Sequence, residues 1–268
     1  MPTYLCATCG TSFAPAAAPP RSCPICEEER QYVPAGGQAW TTTAALAAGH
    51  RNAWRRHQPG LYSLQTVPAF AINQRAFLVR TPQGHILWDC IALLDEATRE
   101  IIAALGGLAG IALSHPHYYT TMQDWAAAFD VPVHLHAADR AHVVRPDDRL
   151  RFWEGDSLPL AERLTLVRAG GHYAGGTVLH WAEGEGVLLV GDIVQVTPGA
   201  RGVSFQWSYP NMLPLSAARL RQLTDRLAPW RYQRIYGAFL GQEVAQGGEA
   251  MVAACAARYR RLLEAPAT

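Results

Sequence analysis

A short apolar run, Gly110-Ile111-Ala112-Leu113, ends without a spacer on Ser114-His115-Pro116-His117. That junction constrains the fold more than any other stretch of the chain. Four apolar residues of this kind read as a short buried strand. Two imidazoles one residue apart at its mouth both face one ion if the backbone bends there, and Pro116 supports such a bend. A third histidine stands far along the chain, in Gly170-Gly171-His172-Tyr173-Ala174-Gly175-Gly176. Glycines on both sides let that backbone come close to a site. The run Val187-Leu188-Leu189-Val190-Gly191 then ends on Asp192, and a carboxylate at the end of an apolar strand must find a partner or reach solvent. A shared ion requires folding to bring the ring nitrogens of positions 115, 117 and 172 within about 6 Å of one another.

The rest of the chain supplies strands and helices around these ends. Leu61–Val67, Ala76–Arg80, His85–Asp89 and Val131–Leu135 read as strands in the first half. Leu164–Arg168, Thr177–Ala182 and Val187–Val190 do so in the second, rich in β-branched and aliphatic residues. Helices are expected over Glu96–Leu105, Met122–Phe129, Ala217–Leu227 and Gln242–Leu263. Strands first, then mixed strands and helices in both halves, suggest two sheets between helix layers.

The first 35 residues differ from the rest. They hold two Cys-x-x-Cys pairs, Cys6/Cys9 and Cys23/Cys26, separated by thirteen residues, and little apolar material. A segment this small needs a staple. Each pair in a tight turn presents two thiolates, and two such knuckles complete a tetrahedron of zinc–sulfur bonds of about 2.3 Å. Cys-Ala-Thr-Cys-Gly and Cys-Pro-Ile-Cys also resemble rubredoxin knuckles, which hold iron. The short loop between the pairs looks more like a zinc ribbon, and the segment has few aromatics to seal a redox iron, so zinc is the expected metal. The other two cysteines, Cys90 and Cys255, lie in apolar stretches and read as buried thiols. Residues 36–60 read as a connector with one short helix, capped by Thr41-Thr42-Thr43 and ended by Gly49.

Taken in order, strand–His-x-His, Gly-Gly-His-x-x-Gly and strand–Gly-Asp resemble the metallo-β-lactamase superfamily. Asp89, closing Ile86-Leu87-Trp88, is similar to that family's early strand ending in aspartate. The resemblance implies an α+β chain with an αββα sandwich over residues 61–268, behind a four-cysteine, zinc-ribbon-like module at 1–35 and the connector. It implies a metal held by His115, His117 and His172, with Asp192 as fourth ligand or as the group that orients a water. The departures are equally plain. The family's His-x-His-x-Asp-His ends here in Tyr119 and Thr120, and Gly237 of Ile235-Tyr236-Gly237-Ala238 stands where a final histidine is expected. One metal at most carries over. Three imidazoles and a carboxylate suit zinc, and equally iron, manganese or nickel.

A single such metal implies a hydrolase in which a metal-held hydroxide attacks an ester, thioester, lactone, amide or phosphoester. Tyr119 or Tyr173 would stabilise the developing oxyanion. The alternative is a catalytically inactive binding or scaffold protein on the same fold, its histidines bonded to each other and to the backbone. Asp124, one helical turn past Thr120, could swing toward the site or stand exposed. His134 and His136 share one face of a strand and either line the pocket or mark a surface strand end. Tyr118, Trp207 and Tyr209 line a pocket or simply pack their loops. With 23 basic and 22 acidic residues, net charge is +1. Together with the acidic Glu27-Glu28-Glu29 run, that argues against a nucleic-acid partner. A small-molecule substrate is expected instead. No leader pattern opens the chain and no apolar run is long enough for a membrane span, so a reducing, cytoplasmic location is expected.

Overall fold

The computed structural model describes residues 1–264; residues 265–268, the end of the expected large domain, lie outside the described residues. The described residues divide into two compact units, one of residues 1–135 and 139–152, the other of residues 136–138 and 153–264.

The first unit opens with β1 (Tyr4–Cys6), a helical turn α1 (Pro24–Glu27), β2 (Trp40–Thr42) and α2 (Thr43–Gly49). The Thr42 hydroxyl caps α2 by accepting from Ala45 N–H at 3.2 Å. A seven-stranded sheet follows in simple sequence order: β3 (Arg51–Gln58), β4 (Leu61–Val67), β5 (Arg75–Val79), β6 (Ile86–Trp88), β7 (Gly110–Ala112), β8 (Val133–His136) and β9 (Leu150–Trp153). The first four pair antiparallel, whereas β6, β7 and β8 run parallel. Parallel neighbours need crossovers, and α3 (Glu96–Leu105) and α4 (Met122–Phe129) provide them. Asp95 caps α3, accepting from Thr98 N–H at 2.9 Å. Gly106, at φ 114°, ends it with Gly107 N–H returning to the Ile102 carbonyl. Because β6 and β7 point the same way, their carboxyl ends lie at one edge of the sheet. Asp89 and Ser114-His115 therefore emerge side by side. Leu64, Leu87, Ile111, Leu113, Trp125 and Leu135 belong to the buried core of this unit.

The second unit carries a six-stranded sheet. It opens with β10 (Ser157–Ala161), β11 (Leu164–Arg168), β12 (Thr177–Trp181) and β13 (Val187–Gly191), and two later strands complete it. Short ribbons β14 (Gln195–Val196) with β15 (Val203–Ser204), and β16 (Gln206–Ser208) with β17 (Leu213–Pro214), intervene before α5 (Ala217–Leu227). The chain then returns as β18 (Arg234–Gly237), parallel to β13, and β19 (Glu243–Val244), and ends in α6 (Gly248–Glu264). The helix expected from Gln242 begins only at Gly248. Glu243–Val244 pairs with β18 instead, and Gly247 at φ 76° breaks any continuation. Strands β12 and β13 are buried throughout, which explains the unbroken apolar sequence of β13, while β12 buries Thr177 and His180 among its apolar residues. Among the described residues, no helix is long and apolar enough to cross a membrane.

Candidate metal centres

The cysteine cluster is built by two tight turns. Gly10 N–H returns to the Cys6 carbonyl at 2.8 Å, and Gly10 takes φ 79°, a region that favours glycine. The second turn closes by Cys26 N–H to the Cys23 carbonyl at 3.0 Å. All four cysteines are buried and unbridged. Their sulfurs lie within 4.8 Å of one another, with Cys6–Cys26 and Cys9–Cys23 both at 3.6 Å. A tetrahedron of bonds of about 2.3 Å has edges of about 3.8 Å, so this spacing suits a tetrahedral thiolate-bound cation. Thiols so crowded contend for protons. Hydrogen bonds from Cys23 and Cys26 hold the Cys6 thiol below its ordinary range, while bonding with Cys23 pushes Cys9 and Cys26 up. A cation resolves that contest by favouring all four thiolates. Ile25, Phe13, Trp40 and Ile72 cover the cluster, the last two from beyond residue 35.

The histidine group starts from the parallel pair β6–β7. Asp89, at φ 60°, accepts from both Ser114 N–H and Ser114 Oγ–H at 2.8 Å. Ser114 Oγ also lies 2.9 Å from His115 Nδ1. Its single proton is committed to the carboxylate, so at His115 the hydroxyl can only accept. Nδ1 therefore carries the ring proton, and Nε2 carries the lone pair. His115 rests against the His117 and Tyr118 rings, at 5.0 and 4.5 Å between centroids.

His172 is fixed in the same tautomer by a different partner. Its Nδ1 stands 2.6 Å from the Trp207 carbonyl, which can only accept, so the ring proton is again on Nδ1. The loop that holds it closes tightly: Ala169 and Gly170 N–H both reach the Gly176 carbonyl at 2.8 Å. A Cβ on Gly176 would stand 2.5 Å from the Gly170 carbonyl oxygen, so only glycine fits. Tyr173 is fully buried with its ring 5.1 Å from that of His172. Asp192 follows β13 directly, and Tyr209 Oη–H donates to its carbonyl at 2.5 Å. Burial, then the Asp192 charge, pushes the Tyr209 hydroxyl well above its usual range, so it stays a donor.

One donor atom from each of His115, His117, His172 and Asp192 lies within 4.8 Å of all the others, and all four residues are buried. This is inside the limit that a shared ion sets. The group could hold a metal, as could the cysteine cluster. Several other residues stand elsewhere. Asp124 is bound by Arg145 at 2.7 Å rather than turned to the histidines. His136 bonds the Gly155 carbonyl at 3.1 Å, with its ring against Trp153. Tyr119 packs in the apolar core of its own unit. A Cβ on Gly237 would meet Gln242 Oε1 at 2.7 Å, so a larger residue there requires the Gln242 side chain to shift. The supporting groups Ser114, Tyr209 and the Trp207 carbonyl carry no signal in the sequence as ligand-orienting residues.

No family model matches the chain. It is 42% identical over 268 residues to the protein YmaE of Bacillus subtilis (strain 168), itself uncharacterized, spanning 98% of this chain and 97% of that one. Among solved structures, DIM-1 metallo-β-lactamase superposes with a TM-score of 0.59 at 12% identity, covering 78% of this chain and 98% of its own. A metallo-β-lactamase family protein from Thermus thermophilus does so with a TM-score of 0.54 at 22% identity, covering 78% and 82%. The αββα architecture expected from the sequence is thus the fold observed. The chain belongs to the family of YmaE, and its fold is that of the metallo-β-lactamases.

Proposed function

We propose that this protein is a metal-dependent hydrolase of a small-molecule substrate, working in the cytoplasm with one zinc ion at the histidine group and a structural zinc in the cysteine cluster. The single observation that carries the proposal is the tautomer forced on two histidines. Ser114 Oγ and the Trp207 carbonyl each accept a hydrogen bond from Nδ1–H, which leaves the lone pair of both rings on Nε2, free of the proton and in a form that binds a cation.

When bound, a divalent ion supplies Lewis-acid polarisation of the scissile bond and a water acid enough to ionise near neutral pH. His115, His117 and His172 would hold it, and Asp89 keeps His115 oriented through Ser114. Asp192 either completes the ligand set or accepts a proton from the attacking water. Its position is steadied by the Tyr209 hydroxyl on its own carbonyl. Tyr173, against His172, is the better placed of the two expected tyrosines to donate to an oxyanion; Tyr119 supports the core behind the His115–His117 turn. Gly237 and Thr120 leave no second set of side-chain ligands, so the chemistry is that of one ion.

The test is a panel of ester, thioester, lactone and phosphodiester probes, run with the unaltered protein, His115→Ala and His172→Ala. Hydrolysis of at least one class, lost by a factor of about 100 or more in both variants, supports the proposal. Equal rates in all three proteins, or none above buffer, overturn it.

A further inference from the structure

We propose that the cysteine cluster positions the metal-ligand turn of the histidine group, and that Ser12 is the residue through which it acts. The inference rests on the reading that His115 and His117 are metal ligands.

The Cys6–Cys9 knuckle is followed at once by Thr11 and Ser12, both buried. Cys6 N–H bonds the Thr11 carbonyl at 3.0 Å, and Cys9 Sγ lies 3.2 Å from Thr11 Oγ1. The path from sulfur to Ser12 therefore has little slack. Ser12 spends both of its donors on one acceptor, the Thr120 carbonyl, through its N–H at 3.0 Å and its Oγ–H at 2.9 Å. Arg145, held by Asp124, reaches Ser12 Oγ at 3.4 Å from the other side. A Cβ built on Gly10 would stand 3.4 Å from Thr120 Cγ2 and 3.3 Å from the Ala92 Cβ, so the knuckle lies flush on the turn.

Thr120 needs such a hold. It is β-branched and buried, yet takes φ 35°, a strained backbone state that persists only when its surroundings impose it. It lies three residues past His117. The intervening turn is closed by Tyr118 N–H to the His115 carbonyl at 3.1 Å and Tyr119 N–H to the Pro116 carbonyl at 3.3 Å. Relaxation of Thr120 therefore shifts the backbone that carries both imidazoles. The cation that the four thiolates hold sets the knuckle, the knuckle sets Thr120, and Thr120 sets His115 and His117.

The test measures zinc affinity at each site by competition with a chelator, for the unaltered protein, Ser12→Ala, Ser12→Thr and His115→Ala. Ser12→Ala removes one of two donors and is expected to keep the cysteine-bound zinc while weakening the histidine-bound zinc about three- to ten-fold; Ser12→Thr restores it. Coupling is reciprocal, so His115→Ala lowers zinc affinity at the cysteines by a similar factor. A second measurement avoids altering Ser12. In a Cys90→Ala, Cys255→Ala chain, a mercurial that strips the cysteine cluster must loosen the histidine-bound zinc as well. Histidine-site affinity unchanged by both Ser12→Ala and the mercurial overturns the clamp alone. Zinc content unchanged by His115→Ala overturns the functional reading and the clamp together.

Discussion

At the scale of single residues, the site is a matter of which nitrogen holds a proton. Imidazole binds a cation only through a lone pair, and a neighbouring acceptor decides where that lone pair lies. His115, His117, His172 and Asp192 were legible in the sequence because each ends or follows a recognisable apolar run or glycine turn. Their supports were not. Ser114 reaches Asp89 across 25 positions, and Trp207 reaches His172 across 35, and no local pattern signals a partner so far away. Ser114→Ala should free the His115 ring to take either tautomer. The expected result is a loss of about 10- to 100-fold in zinc affinity at the histidine group, read by chelator competition, with Ser114→Thr close to the unaltered protein. Affinity unchanged in Ser114→Ala would mean that the ring is held by something other than this hydroxyl.

At the scale of elements, the buried strands announced themselves and the exposed ones did not. The runs at β7 and β13 are apolar because both faces are covered. Strand β3 is an edge strand with Arg51, Arg55 and Arg56 exposed, a composition that discourages edge-to-edge pairing and hides the strand from a hydrophobicity reading. Its stretch therefore reads as connector. Within β12, His180 is buried against Trp230 and bonds the Arg231 carbonyl at 2.8 Å. Burial holds its ring below the ordinary imidazole range. The unfolded chain, with an imidazole near pKa 6.5, then binds protons first as pH falls. Its contribution to stability is complete above about pH 6.5 and is lost on acidification. Urea midpoints at pH 7.5 and 5.5 should show a fall that is smaller in His180→Gln. An equal fall in both proteins would place the pH dependence elsewhere.

At the scale of the whole molecule, the sequence held the order of the motifs but not what fills the places where they depart from the family. Thr120 and Gly237 looked like plain losses. In the structure, Thr120 has become the seat of the cysteine knuckle, and the space beside Gly237 is taken by Gln242. The positions where the resemblance implies a second set of ligands are taken up by packing, while His115 and His172 keep their hydrogen-bonding partners. The cysteine module, read from the sequence as residues 1–35, has Trp40 and Ile72 of the same unit packed against its cluster. A bound zinc at such a cluster contributes folding energy on the order of 10 kcal/mol, enough to fix whatever the knuckle touches. The central claim is that two distinct groups of side chains each hold one ion. Metal content per chain, on protein purified without chelator, tests it most directly. Close to two zinc ions in the unaltered protein, falling to one in His115→Ala with His172→Ala and to one or fewer in Cys9→Ser, is the predicted result; one ion per chain that survives loss of both histidines would contradict it.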